Sequence, residues 1–253
     1  MERHAPTARR TADRARRRHK QGGTPESGNP SRCGRAFASC LRQIDAFLNI
    51  IAMKLIGTYF SPFARRVGVA LNVLDIGFEH DPLNGYTEAA RADLLNPVGK
   101  VPVLELDDGT RLIDSGAILD FLDERVGPER ALAPRFGAPR QAMLQLAAIA
   151  TTIYEKTTAR YAEEHRADNG TQADLIDRYR TQTLNGFTAL DEVVRSGGPI
   201  RSTALNLATI TAVVAYDYAQ ATHPDLDLGS HARALSAVAA SVADHPAFAR
   251  TRP

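Results

Sequence analysis

The sequence predicts an α/β half with a mixed sheet, followed by a half that is almost entirely helical. Residues 54–126 alternate short apolar runs with amphipathic helical segments, whereas residues 140–243 keep helical periodicity throughout. Glycines and prolines cluster over residues 127–139, which is typical of a linker. We therefore expect one domain over residues 53–130 and an all-helical domain over residues 137–253.

The first half has the predicted order β-α-β-α-β-β-α. Its strands are expected over residues 54–58, 78–83, 101–106 and 111–113, and its helices over residues 62–74, 87–95 and 115–126. Pro62 suits the first turn of a helix, and Gly77 is expected to end that helix. Asp108-Gly109 predicts a hairpin turn before the last strand. A helix between the first two strands makes them parallel, so the sheet is mixed.

The second half reads as a bundle of helices. Apolar residues share one face of a long helix over residues 143–161 and of a second over 176–194, which Gly197-Gly198-Pro199 ends. Leu205–Ala221 is apolar almost all round, which predicts a central, buried helix. A further helix is expected over about 230–243.

Charge and cysteine content set residues 1–52 apart. This segment holds 11 Lys/Arg and 4 Asp/Glu, a net charge of +7, whereas the rest of the chain carries −5. Both cysteines, Cys33 and Cys40, lie in it, so the body has no disulfide scaffold, thiolate metal site or cysteine nucleophile. We expect residues 1–52 to be a basic, disordered extension. A start at Met53 is favoured over a genuine arm or a targeting segment.

Several functional classes are excluded for the body of the chain. It has no Gly-rich dinucleotide or phosphate loop, no histidine pair at i, i+4 and no calcium loop. Its five histidines are scattered and expected at the surface, in loops or helix ends, so no metal is expected. No apolar run is long enough to span a membrane, which predicts a soluble, cytoplasmic protein with no membrane or nucleic-acid partner.

Ser61-Pro62 stands where the first strand leads into a helix. The Ser61 hydroxyl at the N-cap would accept a hydrogen bond from a first-turn N–H. The same place suits an anion, because a helix N-terminus carries partial positive charge and would lower the pKa of a bound thiol. The spacing leaves both interpretations open.

Two further segments pair a structural with a binding interpretation. Pro102 begins an apolar strand, so it marks either a plain turn or a bend that leaves the Val101 backbone free to pair with an extended peptide. Asp114-Ser115 begins a helix and can be interpreted as a plain N-cap. It can also be interpreted as a binding site, here called the cup, in which Ser115 binds a carboxylate and Asp114 binds an ammonium. Together the two segments suit a small zwitterionic peptide.

These segments resemble the soluble, cytosolic-type glutathione S-transferase family. The resemblance is carried by Asn-Pro-x-Gly-Lys-Val-Pro-Val-Leu from Asn96, Asp-Ser-x-x-Ile from Asp114 and Ser-Pro-Phe-x-Arg-x-Val from Ser61. The last segment is similar to that of bacterial serine-type members near the theta, zeta and beta groups. The resemblance covers residues 53–253 and implies a thioredoxin-like domain, an all-helical bundle and a homodimer.

The resemblance also implies a site for glutathione as co-substrate, without a metal. Pro102 would be the cis proline, and Val101 would pair through its backbone with the cysteinyl part. Asp114 and Ser115 would hold the γ-glutamyl end. Lys100 lies where a side chain often reaches the glycyl carboxylate.

The expected activity is that of a glutathione transferase with a role in detoxification. Ser61 is the favoured activator of the thiol, which would attack a small hydrophobic electrophile held mostly by the helical domain. Tyr59 is the alternative activator, and a site that uses neither hydroxyl is the third possibility. A non-catalytic family member that binds proteins in stress or transcription regulation is the alternative function.

The chain departs from the family at the start of its central helix. Relatives have a capping box of Ser or Thr followed three residues later by Asp. Here Asn206 and Thr209 occupy these positions, so a weaker reciprocal hydrogen bond is expected.

Overall fold

The computed structural model describes residues 53–166 and 170–253. All of them fall within one unit of the chain, Asp45–Pro253. The basic extension predicted over residues 1–52 lies outside the described residues, and so do both cysteines.

Four strands of the described residues form one mixed sheet. They are β1 (Met53–Ile56), β2 (Phe78–Asp81), β3 (Val103–Glu105) and β4 (Arg111–Ile113). Their order is β2-β1-β3-β4, with β1 parallel to β2 and antiparallel to β3, and β3 antiparallel to β4. The predicted mixed sheet is confirmed, because the β1–β2 crossover and the Asp108-Gly109 hairpin impose opposite strand directions.

Three helices accompany the sheet: α1 (Pro62–Val73), α2 (Ala89–Leu95) and α3 (Ser115–Val126). The prediction that Gly77 ends α1 is wrong. The helix ends four residues earlier, and Asp75 takes the left-handed conformation there, with φ of 53°. The N–H of Ile76 then reaches back to the C=O of Leu71 at 3.0 Å, which closes the last turn.

The second half is helical, as predicted. Its helices are α4 (Gly137–Glu164), α5 (Ala173–Arg195), α6 (Leu207–Thr222), α7 (Leu228–His231), α8 (Arg233–Val242) and α9 (Pro246–Ala249). The linker is shorter than expected, because α4 begins at Gly137 and Pro139 falls in its first turn. The single helix predicted over 230–243 is broken at Ala232 into α7 and α8.

Helix α6 is the central helix of the second half. Every residue from Leu207 to Ala215 is buried, and the helix packs on α4 and α1. One continuous apolar core includes strand residues such as Leu55 and helical-domain residues such as Leu190. The two halves therefore share a core.

A buried arginine adds a polar link between the halves. The Arg65 guanidinium of α1 donates to the C=O of Thr251 at 3.0 Å and pairs with the Asp217 carboxylate of α6 at 2.8 Å. The start of α1 is thus tied both to the central helix and to the last residues of the chain.

Candidate functional site

The predicted site segments meet at one end of the sheet. Val103 of β3 pairs with Ile56 on one side and with Ile113 on the other. The turn before Val103, the loop after Ile56 and the helix start after Ile113 therefore lie side by side. Their approach is close, because a Cβ built on Gly57 would lie 3.0 Å from the side chains of both Ala64 and Val101.

Ser61 is the N-cap of α1, as predicted. Its backbone is extended, with φ of −72° and ψ of 118°, and Pro62 occupies the first helical position. The Ala64 N–H reaches the Ser61 Oγ at 3.5 Å, which is long for a hydrogen bond. The cap uses the oxygen as an acceptor, so the hydroxyl hydrogen remains available to a group at the end of the helix.

The Tyr59 ring lies between α1 and β2. It stacks on the His80 ring at a centroid distance of 3.9 Å, and a Cβ on Gly68 would lie 2.6 Å from it. Burial raises the pKa of Tyr59 to about 12. The Tyr59 hydroxyl is therefore harder to ionise than an exposed phenol.

The turn before β3 presents unpaired backbone. The Val101–Pro102 peptide bond is cis, as the resemblance implies. Within the described residues, neither the N–H nor the C=O of Val101 forms a hydrogen bond. Buried Asn96 shapes this turn, because its Nδ2 donates to the C=O of Lys100 at 2.7 Å. The Lys100 side chain is exposed.

Asp114 caps α3 in a strained conformation. Its φ is 65°, a value that non-glycine residues adopt rarely. Its Oδ1 accepts from the Gly116 N–H at 2.7 Å and from the Ala117 N–H at 3.4 Å. Both hydrogen bonds use the same oxygen, so the exposed Oδ2 stays open to a cation. A Cβ on Gly116 would lie 2.9 Å from the Asp114 Oδ1, so a larger residue there would displace the capping oxygen.

Ser115 is buried beneath this cap, and Arg66 fixes the direction of its hydroxyl. The Arg66 Nε and Nη2 donate to the Ser115 Oγ at 3.0 and 2.7 Å. A serine oxygen has two acceptor positions, and Arg66 fills both. The Ser115 hydroxyl must therefore direct its own hydrogen elsewhere, as a donor suited to an anion.

Arg66 is a site residue that the sequence analysis missed. It is 4% exposed, and its third donor, Nη1, bonds to the Thr151 hydroxyl of α4 at 2.9 Å. Burial lowers its pKa, which the negative charge of Asp114 partly offsets. The available signal was position: Arg66 follows Phe63 by three residues, on the face of α1 that carries apolar side chains.

His223 is not where the sequence placed it. Expected at the surface, it is 2% exposed at the C-terminal end of α6, with its Nε2 3.2 Å from the Glu164 carboxylate. His80 lies in β2, within the strand predicted over residues 78–83, and bonds through Nε2 to the C=O of Gly57 at 2.9 Å. Among the described residues, no group of His, Cys, Asp and Glu is arranged to hold a metal ion.

Comparisons with known proteins agree with this arrangement. Residues 55–130 match the family model described as the N-terminal domain of glutathione S-transferases. An uncharacterised GST-like protein of Escherichia coli K12, YibF, is 28% identical over 166 residues, which cover 66% of this chain and 81% of that protein. The maleylacetoacetate isomerase of Pseudomonas aeruginosa is 40% identical over 85 residues, 32% of this chain and 40% of the isomerase.

A solved structure extends the likeness over both halves. A glutathione transferase family member from Pseudomonas fluorescens Pf-5, with bound glutathione, superposes with a TM-score of 0.71 at 29% identity. The match covers 80% of this chain and 99% of that one. Fold and site thus define a two-domain protein with a thioredoxin-like domain, a cis-proline turn and a helical domain. Residues 55–130 belong to the N-terminal domain family of glutathione S-transferases, and the fold of both halves is that of a soluble glutathione S-transferase.

Proposed function

We propose that the chain is a glutathione transferase, which binds glutathione at the end of the sheet and uses its thiolate as a nucleophile. The observation that carries this proposal is the arrangement of Arg66 and Ser115. Arg66 is buried and, within the described residues, forms no ion pair with a carboxylate. A buried charge of this kind favours an anionic ligand that can accept the Ser115 hydrogen bond.

The cup at the start of α3 suits the γ-glutamyl end of glutathione. Its carboxylate would accept from the Ser115 hydroxyl and from the first-turn amides of α3. Its ammonium would meet the open Oδ2 of Asp114. The start of α3 thus presents a hydrogen-bond donor, Ser115, beside an acceptor, Asp114, and this pair matches the two charges of a zwitterion.

The rest of the tripeptide would extend along the turn before β3. The unpaired N–H and C=O of Val101 would bind the cysteinyl part, in the way that an added strand pairs with a sheet edge. The exposed Lys100 would reach the glycyl carboxylate. Asn96 holds this turn in place through its bond to the Lys100 carbonyl oxygen.

The thiol would then lie at the start of α1. The Ser61 hydroxyl would donate to the sulfur, and the helix N-terminus would add its partial positive charge. A thiol pKa lowered by two units corresponds to about 2.7 kcal/mol, which these two interactions can supply together. The high pKa of Tyr59 and its place against His80 favour Ser61 as the activator.

The proposal includes a small hydrophobic electrophile held mostly by the helical domain, a homodimer and a cytoplasmic location with a role in detoxification. No helix of the described residues is both long and apolar enough to cross a membrane. The thiolate would displace a leaving group from the electrophile or add to it, and a thioether would form.

Retention and turnover test the proposal. The full chain should bind to immobilised glutathione, elute with free glutathione and conjugate chlorodinitrobenzene. Folded protein that is neither retained nor active would contradict the proposal and favour a protein-binding role without catalysis. Retention without turnover would support the glutathione site and contradict the transferase activity.

A further inference from the structure

Arg65 holds the first turn of α1, the turn that begins at Ser61. The Arg65 N–H donates to the C=O of Ser61 at 2.9 Å, whereas the Ser61 Oγ accepts from the Ala64 N–H only at 3.5 Å. A cap bond of that length fixes the Ser61 side chain weakly. The position of the Ser61 hydroxyl therefore depends on where the backbone of this turn is held.

The Arg65 side chain joins this turn to two distant segments of the chain. Its Nη1 pairs with the Asp217 carboxylate of α6 at 2.8 Å, and its Nε donates to the C=O of Thr251 at 3.0 Å. Because the guanidinium is planar, two bonds to different partners fix its direction as well as its distance from each of them. Arg65 is only 5% exposed, so solvent and salt screen the ion pair little.

Both partners of Arg65 are themselves held in place. Asp217 belongs to the central helix of the second half. Thr251 is completely buried, and its hydroxyl bonds to the C=O groups of Ala247 and Phe248, both at 3.1 Å. The short helix that contains these two residues, α9, packs on α1. The first turn of α1 is thus anchored to a firmly packed part of the helical half.

The neighbouring Arg66 serves the other end of the site. Its donors bond to Ser115 and Thr151 at the cup, whereas the Arg65 donors bond to Asp217 and Thr251. Two consecutive arginines therefore anchor the cup and the start of α1 through separate partners. A change at Arg65 can move the start of α1 while the cup stays intact.

We propose that Arg65 is a positioning residue for the transferase reaction: by fixing the first turn of α1, it holds the Ser61 hydroxyl on the sulfur of bound glutathione. This inference rests on the proposed glutathione transferase function. Arg65 acts through Ser61 and not by contact with the ligand. A hydrogen bond to the sulfur is directional, and a displacement of about 1 Å in a reacting group can cost about a hundredfold in rate.

The double variant Arg65→Met with Asp217→Asn tests this role in the full chain. It removes the anchor but leaves the net charge unchanged, so an effect of charge at a distance is cancelled. The pKa of the bound glutathione thiol, measured by thiolate absorbance, should rise by about half a unit or more. The Kd of S-methylglutathione, which has no thiol to ionise, should change by less than about twofold because the cup is intact. A thiol pKa equal to that of the unaltered protein would overturn the inference.

Arg140→Met with Asp120→Asn is the matched control. Arg140 of α4 also joins the two halves, because it pairs with Asp120 of α3 at 2.6 Å and donates to the C=O of Pro134 at 3.3 Å. Neither partner belongs to α1, so this control should leave the thiol pKa unchanged. An equal rise in the control would show a general effect of packing between the halves and would overturn the inference.

Arg65→Lys is the second variant, for the case that the double variant does not fold. Its ammonium keeps a positive charge opposite Asp217, but it lacks the planar donors that join this carboxylate to the Thr251 carbonyl oxygen. The thiol pKa should still rise, though by less than in the double variant. In that case an unchanged thiol pKa in folded Arg65→Lys would overturn the inference, because the charge alone would then be sufficient.

Measurements on the unaltered protein separate failure of the inference from failure of the function. Absence of glutathione binding, or a bound thiol that titrates like a free one, would contradict the proposed function and the inference with it. A lowered thiol pKa that Ser61→Ala raises, but that the Arg65 double variant leaves unchanged, would overturn the inference alone.

Discussion

At the scale of single residues, the cup depends on a buried arginine, Arg66, that is paired with no protein carboxylate among the described residues. Arg66 is buried, and three of its five N–H donors bond to two hydroxyls, those of Ser115 and Thr151. Hydroxyls satisfy its hydrogen bonds without neutralising its charge, so a positive field remains at the base of the cup. We therefore propose that the carboxylate of a bound ligand is the counter-ion of Arg66.

Asp114 has two roles that a pair of substitutions separates. Asp114→Asn keeps an oxygen to cap α3 and suits the positive φ, but it removes the charge that would meet an ammonium. Calorimetric titration should show a glutathione Kd raised by about tenfold, with unfolding unchanged. Asp114→Ala should show the same weakening and also lose about 1 kcal/mol of stability with the cap. Equal affinities of Asp114→Asn and the unaltered protein would show that the charge is not used.

Single residues also show which parts of the site could be predicted from the sequence and which could not. Ser61 and Asp114 were identifiable as caps because capping is local and depends on neighbouring residue types. Arg66 and Thr151 were missed because their contact joins positions 85 residues apart. Nothing in the local pattern distinguishes a buried arginine with distant partners from one on a solvated face.

At the scale of elements, hydrogen bonds from side chains replace the family's capping box. Asn206 caps α6 through the Thr209 N–H at 2.9 Å and also donates to the C=O of Pro199 at 2.8 Å. Thr209, which stands in place of the acid, bonds instead to the loop before the helix, with its oxygen 3.2 Å from the Arg201 N–H. The weaker reciprocal bond expected from the sequence is therefore offset by bonds to another segment.

Asn206→Ala should destabilise the protein by about 1–2 kcal/mol, because it removes the cap and the shorter of two hydrogen bonds to the Pro199 carbonyl oxygen, the other coming from the Thr209 hydroxyl. Urea unfolding measures this loss. Asn72→Ala is a suitable control, since the Asn72 amide bonds only within its own helix, to the C=O of Gly68. Glutathione affinity should not change in either variant. An unfolding midpoint for Asn206→Ala equal to that of the unaltered protein would contradict the role of the cap.

Element types were more predictable than element ends. The periodicity of α1 and α4 and the all-round apolar character of α6 extend far enough to identify each helix. The end of α1 at Val73, with Asp75 left-handed beyond it, and the break at Ala232 depend on backbone conformations that carry no strong residue signature. The linker could be recognised in the sequence only from its glycines and prolines. The structure shows that the Asp123 carboxylate holds it in place by accepting hydrogen bonds from the Leu132 and Ala133 N–H groups.

At the scale of the whole molecule, the stability carries a pH dependence from His223. Burial, together with the charge of Arg160, lowers the pKa of His223, and the carboxylates of Glu164 and Asp225 oppose this only in part. The unfolded chain takes up a proton near the ordinary histidine pKa, and the folded chain only at lower pH. The free energy of unfolding should therefore fall as the pH drops below about 6.5.

His223→Gln should remove this part of the pH dependence. Urea unfolding at about pH 7 and about pH 5 should show a smaller loss of stability in the variant than in the unaltered protein. His231→Gln is the matched control, because His231 is an exposed histidine of the helical domain. A pH dependence that is the same in both variants would contradict the assignment to His223.

In the whole molecule, the predicted binding segments lie in one half, and the helical half packs against them. The segments that carried the resemblance all lie in residues 53–130, where short motifs and a sheet register bring them together. The helical half contributes Thr151, Tyr161 and Tyr218 through the packing of α4 and α6 on α1. Such packing depends on contacts between distant segments, so the sequence predicts an electrophile site on this half but identifies none of its residues.

The pKa of the thiol of bound glutathione tests the central claim most directly. Ultraviolet difference absorbance of the thiolate, followed against pH with the full chain, measures it. We expect this pKa to lie about two units below that of a free thiol, and Ser61→Ala to raise it by about one unit or more, whereas Tyr59→Phe leaves it unchanged. A bound thiol that titrates like a free one, or a pKa that Ser61→Ala does not move, would contradict the account.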